Sequence, residues 1–546
     1  VCACALLVSA RASVVVTSSG PVRGTLIQED GFSYYAYQAI PYAESPTGDL
    51  RFEPPVPKKP WSEVRDATQQ GPVCPQAAGK IPREAMSEDC LNINVFVPAN
   101  RSGPLPVLAY FHGGAFKSNS GNIDIMFGPQ LLLQRGIIHV TMNFRLGALG
   151  YLSLGTEKLP GNAGLKDLLL ALKWIKENIH KFGGTTITIG GQSSGAAMVH
   201  QMLLTDKSTG LFDRAILNSG SATNFRYLSN YPREHTLALA NELGISDDCD
   251  DIVIQNLRKA DVFDIVEAQE NLYKNRRNIM SPFAPFVPCI EKESNHSILT
   301  RKPIDIINAG IPQNVPILLG MNSLEGAYMW PGTHNVPTKT LQEQISLAFP
   351  ADIEYPKDSD MHKKLVDSVS ELYFGDVNKN NWTLHNFYEL LSDTQYTSSI
   401  GSWIKIHKNR SDSKRVYYYL FNFDGDLNWG KLTYNVTFPG VIHADEIGYY
   451  FVNKVTKEKL KHLDTKNQRT LDHMLTFISN FVKFGDPTPL GVVRVRWPEH
   501  GNAGRHLVIN DRPSRGSHEP FAKRFAFWTN VYKQFDQYVQ NGGGGG

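Results

Sequence analysis

Apolar positions fall in short runs separated by turns, and the runs change period along the chain. Leu105-Pro-Val-Leu-Ala-Tyr-Phe111 and Ile137-Ile-His-Val-Thr-Met-Asn143 are near-continuous apolar segments of strand length, the first followed by a glycine-rich turn. Thr185-Thr-Ile-Thr-Ile189, Val315-Pro-Ile-Leu-Leu319 and Val416-Tyr-Tyr-Tyr-Leu-Phe421 predict three more buried strands. Between them the period shifts to three and four. Leu168 to Ile179 predicts an amphipathic helix, and Ala196 to Leu204 a second. Leu471, Met474, Leu475, Ile478, Phe481 and Val482 mark the core face of a third, which stops at Gly485-Asp-Pro-Thr-Pro489. Strand and helix in alternation imply an α/β fold, a large and mostly parallel sheet covered by helices on both faces. No internal repeat or long linker divides the chain, so one domain fits its 546 residues better than three or four small ones.

Composition narrows the function. Hydrophobic residues are 41% and charged residues 20%, a globular balance with ample material for a core. Lys+Arg is 55 against 53 for Asp+Glu, without the basic excess or stripe that nucleic-acid binding requires. No apolar run reaches the roughly 18 residues of a membrane span. Residues 1–12 read as the remnant of a signal peptide, with Ala10-Arg11-Ala12 as a small-x-small cleavage site and Ser13 as the expected mature start. The competing reading is a buried strand continuing into Val14-Val15-Val16. The expected domain spans 13–541, followed by a flexible glycine tail at 542–546. Five Asn-x-Ser/Thr sequons, at Asn100, Asn295, Asn381, Asn409 and Asn435, agree with a secreted, extracellular glycoprotein. Beyond Cys2 and Cys4 lie Cys74, Cys90, Cys249 and Cys289, which allow three pairings. A Cys74–Cys90 bridge would close a short Pro- and Gly-rich loop, as suits an oxidising compartment.

The chemistry concentrates at Gly190-Gly191-Gln192-Ser193-Ser194-Gly195, which contains Gly-x-Ser-x-Gly. The motif alone is weak. Here a strand pattern precedes it and a helix pattern follows, the strand–turn–helix context of a nucleophile elbow. Such a turn strains the backbone of Ser193, and the flanking glycines remove side chains that would collide. The hydroxyl then stands clear of the sheet with a helix N-terminus behind it. A hydroxyl is a poor nucleophile near neutral pH, so a base and a carboxylate to orient that base are required. Phe111-His112-Gly113-Gly114-Ala115-Phe116 follows an earlier strand and suits an oxyanion hole, because small residues let consecutive N–H groups face one oxygen. Ser194 would contribute its N–H rather than its hydroxyl.

Several segments together resemble the type-B carboxylesterases, the α/β-hydrolase family that includes the cholinesterases. They are Leu50-Arg51-Phe52 with Pro54-Pro55, Ser87-Glu88-Asp89-Cys90-Leu91-Asn92-Ile93-Asn94-Val95, His112-Gly113-Gly114, Asn143-Phe144-Arg145-Leu146-Gly147 and Gly161-Asn162-Ala163-Gly164-Leu165-Lys166-Asp167. The likeness runs from about residue 20 to 535. It implies a triad of Ser193, Glu325 (in Gly320-Met-Asn-Ser-Leu-Glu325) and His443 (in Gly440-Val-Ile-His443). It also implies oxyanion donors at Gly114, Ala115 and Ser194, ion pairs Arg51–Glu88 and Arg145–Asp167, and a Cys74–Cys90 disulfide. The family's second short-loop bridge has no partner here for Cys249 near Asn256, so Cys249 and Cys289 either pair with each other or are both free. Gln192 replaces the Glu that many members carry before the nucleophile, which weakens attraction for a cationic ester. With Arg51-Phe52 it resembles insect juvenile hormone esterases, although Leu168 stands after Asp167 where those carry Gln.

Other residues compete for these roles. His200 lies seven residues beyond Ser193 on the same predicted helix, and it is expected to pack in the helix body. His112 is expected to act through its neighbours' backbone, and Asp445 and Glu446 sit too near His443 to turn back onto its ring. No metal or nucleotide motif is found, and ester cleavage by such a triad needs no cofactor. The expected function is that of a secreted serine carboxylesterase acting on a small lipophilic ester with water, without a protein partner. A catalytically silent adhesion domain and a lipase are the alternatives.

Overall fold

The computed structural model describes residues 13–77, 79, 81–123, 126–274, 285–329, 345–375, 383–408, 414–490 and 495–541. Residues 1–12, expected as a signal remnant, residues 542–546, expected as a flexible tail, and the sequons Asn381 and Asn409 lie outside them. Among the described residues, thirteen strands form one sheet: β1 (Ser13–Val16), β2 (Pro21–Glu29), β3 (Phe32–Pro41), β4 (Arg65–Asp66), β5 (Asn92–Pro98), β6 (Leu105–Phe111), β7 (Ile138–Met142), β8 (Gly184–Gln192), β9 (Arg214–Asn218), β10 (Ile317–Asn322), β11 (Val416–Phe421), β12 (His506–Ile509) and β13 (Ser514–Gly516). Their order is β1-β2-β3-β5-β7-β6-β8-β9-β10-β11-β12-β13, with β4 paired to β2. From β7 to β12 every pairing is parallel, as the strand–helix alternation predicts. The N-terminal flank, β1-β2-β3-β5-β7, is antiparallel. Val14 and Val16 lie on its edge strand and are half exposed rather than buried.

Alternate side chains of β6 enter opposite cores, as the two-residue period of a strand demands. Val107, Ala109 and Phe111 pack in the cluster containing α1 (Ala163–Asn178) and α2 (Ser194–Leu204). Leu108 and Tyr110 pack on the other face with Leu471, Met474, Leu475 and Ile478 of α3 (Thr465–Phe484). Asp464 caps α3 by accepting from the Asn467 N–H at 2.8 Å, and the helix ends at Gly485 with φ 69°. Among the described residues, no helix is long and apolar enough to cross a membrane.

Helix α1 begins five residues before the expected Leu168, and its first turns bury two charged residues. Asp167 receives the Arg145 guanidinium at 2.8 and 2.6 Å, and Lys166 reaches Glu291 at 2.6 Å. Arg51 forms the corresponding fork on Glu88 at 2.7 and 2.6 Å. Cys74 and Cys90 are joined by a disulfide, whereas Cys249 is free and exposed and Cys289 free and buried. Strand β8 runs on through Gly190-Gly191 to Gln192, so Ser193 stands at its carboxyl end.

Candidate active site

Ser193 joins β8 to α2 with φ 60° and ψ −127°, a conformation that side chains rarely adopt. The elbow closes only because the flanking positions are glycine. A Cβ on Gly191 would sit 2.4 Å from the Gly195 carbonyl carbon, and one on Gly195 would sit 2.3 Å from the Phe111 oxygen. The Ser193 N–H donates to the Asn218 carbonyl at 2.8 Å, tying the turn to the end of β9.

Glu325 follows β10 and is fully buried. Its Oε1 accepts from the Asn322 N–H at 2.6 Å and from the Ser219 hydroxyl. Its Oε2 lies 2.7 Å from Nδ1 of His443. With both oxygens so occupied, the carboxylate holds the ring proton on Nδ1 and leaves a lone pair on Nε2. That lone pair faces Gln192, whose side-chain amide nitrogen donates to it at 3.1 Å. The Ser193 hydroxyl pairs with the Tyr227 hydroxyl at 3.4 Å. Serine and histidine are thus each held by a different neighbour. As the sequence implies, Asp445 and Glu446 point elsewhere. Asp445 accepts from the N–H groups of Lys431 and Ile442, and Glu446 from Asn322.

The glycine-rich turn after β6 approaches the elbow closely. A Cβ on Gly113 would lie 2.6 Å from the Gln192 oxygen. Gly114 has φ 116°, and a Cβ there would lie 2.2 Å from the Ser118 carbonyl oxygen, so only glycine fits. Ala115 and Phe116 are also left-handed, at φ 55° and 62°. Among the described residues, none of the N–H groups of Gly114, Ala115 and Ser194 donates to a protein acceptor. Open donors on the turn and at the start of α2 suit an anion cradle. The Ser194 hydroxyl, without an assignment from the sequence, accepts the Phe116 N–H at 3.3 Å and pins the two halves of the cradle together.

His112 and His200 are buried packing residues. Burial pushes His112 down to about 4 and His200 down to about 3, so both are neutral at pH 7. His112 stacks on Phe144 with centroids 4.2 Å apart, and His200 packs against Trp403 at 4.4 Å.

Several site residues escape sequence reasoning because they carry no motif. Tyr396 stacks on His443 at 4.3 Å and Tyr328 at 5.4 Å. Tyr396 sits in a π-turn, Asp393–Thr397, between the helices Leu384–Ser392 and Ser398–Lys408. Such single wide turns re-aim side chains and recur at functional sites. Tyr227 and Arg226 follow Asn224, which donates to the Gln395 carbonyl of that π-turn at 2.7 Å. An aromatic-rich segment next to the β9 end is the only trace they leave in the sequence.

A mixed sheet bearing a strained serine on its strand–helix elbow, with a His–carboxylate pair beyond later strands, defines an α/β-hydrolase. The model of the carboxylesterase family matches residues 11–528, and the chain belongs to that family; it is a carboxylic-ester hydrolase. It is 29% identical over 501 residues to juvenile hormone esterase of Heliothis virescens, covering 88% of this chain and 86% of that one. It is 31% identical over 486 residues to esterase B1 of Culex pipiens, covering 87% and 88%. The solved structure of juvenile hormone esterase from Manduca sexta with OTFP covalently attached superimposes with a TM-score of 0.83 at 29% identity, covering 96% of this chain and 100% of that one.

Proposed function

We propose that Ser193 is the nucleophile of this esterase, His443 its general base and acid, and Glu325 the carboxylate that orients the ring. The observation that carries the reading is convergence. The strained Ser193, the His443 ring bonded to its neighbour Gln192, and the glycine-rich turn packed on the same elbow support it. When an ester binds, the Ser193 proton passes to Nε2 of His443, which must exchange its Gln192 partner for the serine hydroxyl. The alkoxide attacks the ester carbonyl, and the oxyanion settles on Gly114, Ala115 and Ser194. His443 then protonates the leaving alcohol, and water releases the acid from the acyl-enzyme by the reverse sequence.

The substrate class is a lipophilic carboxylic ester. Juvenile-hormone-type methyl esters head the candidates, supported by Gln192 and by the relatives that carry that name. Export from the cell is supported by the Cys74–Cys90 bridge and by exposed sequons at Asn100, Asn295 and Asn435. The test is hydrolysis of p-nitrophenyl esters, acetate through decanoate, by the wild type and by Ser193→Ala. The variant is expected to lose at least about a thousandfold in kcat. Equal rates would remove Ser193 from the mechanism.

A further inference from the structure

Immediately before the 3₁₀ turn Phe225–Tyr227 the chain makes an Asx turn: Asn224 Oδ1 accepts the N–H of Arg226 at 2.9 Å. Asn224 is itself fastened to the π-turn and to Ser399, and Thr223 donates to the Ser399 carbonyl at 3.0 Å. This anchored turn carries Arg226 into the site. The side chain is 94% removed from solvent, yet no carboxylate pairs with it among the described residues. Among the described residues, its Nε and Nη1 have no hydrogen-bond partner. Its surroundings are aromatic instead. The guanidinium carbon lies 5.1 Å from the Tyr396 ring centroid and 5.9 Å from that of Tyr227, while Tyr273 and Tyr434 are near enough to feel its charge.

A guanidinium cannot shed its proton in a protein, so burial cannot neutralise it. Buried arginines are therefore paired as a rule, and one left with two open donors is poised for a partner from outside. The location is specific. Tyr227 bridges Arg226 to the nucleophile, its hydroxyl 3.4 Å from Ser193 Oγ. Tyr396 bridges it to the base, its ring stacked on His443.

We propose that Arg226 recognises a carboxylate carried by the ester substrate itself, so that the preferred substrates are amphiphilic: an apolar body against the tyrosines and one anionic group on Arg226. This inference rests on the esterase reading above and narrows it, away from wholly neutral esters. A bidentate carboxylate would satisfy the open donors and the buried charge together.

The test compares kcat/KM for two matched pairs of esters. Mono-4-methylumbelliferyl adipate against 4-methylumbelliferyl hexanoate places the anion on the acyl half. 4-Butyryloxybenzoate against 4-butyryloxybenzamide places it on the alcohol half. The wild type is expected to prefer the anionic member of one pair at least tenfold, and the pair that responds names the half. Arg226→Gln is expected to lower that anionic-to-neutral ratio at least tenfold, and Arg226→Lys to restore part of it. A wild type that prefers the neutral member in both pairs, or a ratio that Arg226→Gln leaves unchanged, overturns the proposal. Should the variants fail to fold, inhibition of the wild type decides: hexanoate is expected to inhibit at least ten times more strongly than hexanamide, and equal inhibition overturns it. Ser193→Ala separates the two readings, since retained turnover of all four esters would sink the nucleophile assignment without altering the hexanoate comparison.

Discussion

Ser193 holds a backbone geometry that costs on the order of 1–3 kcal/mol, and the neighbouring contacts must supply it. Glycine adopts φ 60° with little penalty, so Ser193→Gly is expected to be more stable than Ser193→Ala by about 1 kcal/mol in urea unfolding, with both inactive. Equal midpoints would show that the elbow is unstrained. Gly114→Ala tests the opposite constraint. Its new methyl would overlap the Ser118 carbonyl oxygen, displacing the Gly114 and Ala115 N–H groups. The expected loss in kcat is about a hundredfold, the typical effect of a lost oxyanion donor, with the urea midpoint falling by far less than would unfold the chain. Unaltered turnover would exclude the turn from the cradle. Ser193 was legible from Gly-x-Ser-x-Gly because a strained elbow demands small neighbours at fixed spacing. Glu325 and His443 were legible only through family resemblance, as two among 53 acids and 16 histidines. Arg226, Tyr227 and Tyr396 were not legible, since nothing local distinguishes a residue that a distant π-turn happens to face.

At the scale of elements, apolar period located five strands of the parallel stretch within two or three residues, and left β9 and β12 unread. It failed where polar residues are buried. Strand β10 extends to Asn322, past the expected Leu319, because Asn322 finds the Ile442 carbonyl and Glu446 as partners. The start of α1 was hidden for the same reason, by Lys166 and Asp167. In the antiparallel flank β2, β3 and β5 were missed as well, and β1 was read only within the competing N-terminal strand, since most of these strands lack the uninterrupted apolar runs that mark a fully covered sheet. The loop between Cys74 and Cys90, a separation of 16 residues, has little core of its own. Replacing both cysteines with alanine is expected to lower stability by about 3 kcal/mol, read as a shift in the urea midpoint, because the unfolded chain regains loop entropy. A shift below about 0.5 kcal/mol would mean that the Arg51–Glu88 pair and local packing hold the loop without the bridge.

For the molecule as a whole, burying acids beside the site sets how stability varies with pH. Burial, and then the charge of Glu325, push the Glu446 carboxyl up to about 8, and burial pushes Asp445 up to about 7. The folded state therefore keeps protons that the unfolded chain releases near pH 4. Stability from these groups is fully present below pH 4 and declines as pH rises, until each folded value is passed. The expected decline is on the order of 1 kcal/mol per pH unit per group. Glu446→Gln, which mimics the protonated form, is expected to remove the part of the decline between about pH 7 and 8. A melting profile as steep as that of the wild type would show that Glu446 is ionised throughout.

The sequence by itself determined the α/β class, the parallel centre of the sheet, the serine on its elbow and, through the resemblance, the implied pairing of histidine and acid. Those features follow from local period, turn chemistry and fixed motif spacing, which are properties of neighbouring residues. Only the tertiary structure decided that His443 Nε2 meets Gln192, that the Ser194 hydroxyl ties the glycine-rich turn to α2, and that Arg226 is buried among tyrosines without a carboxylate among the described residues. Each of these depends on side chains separated by tens to hundreds of residues meeting at the carboxyl ends of the strands. Their distances are set by packing across the whole sheet, which no local pattern encodes.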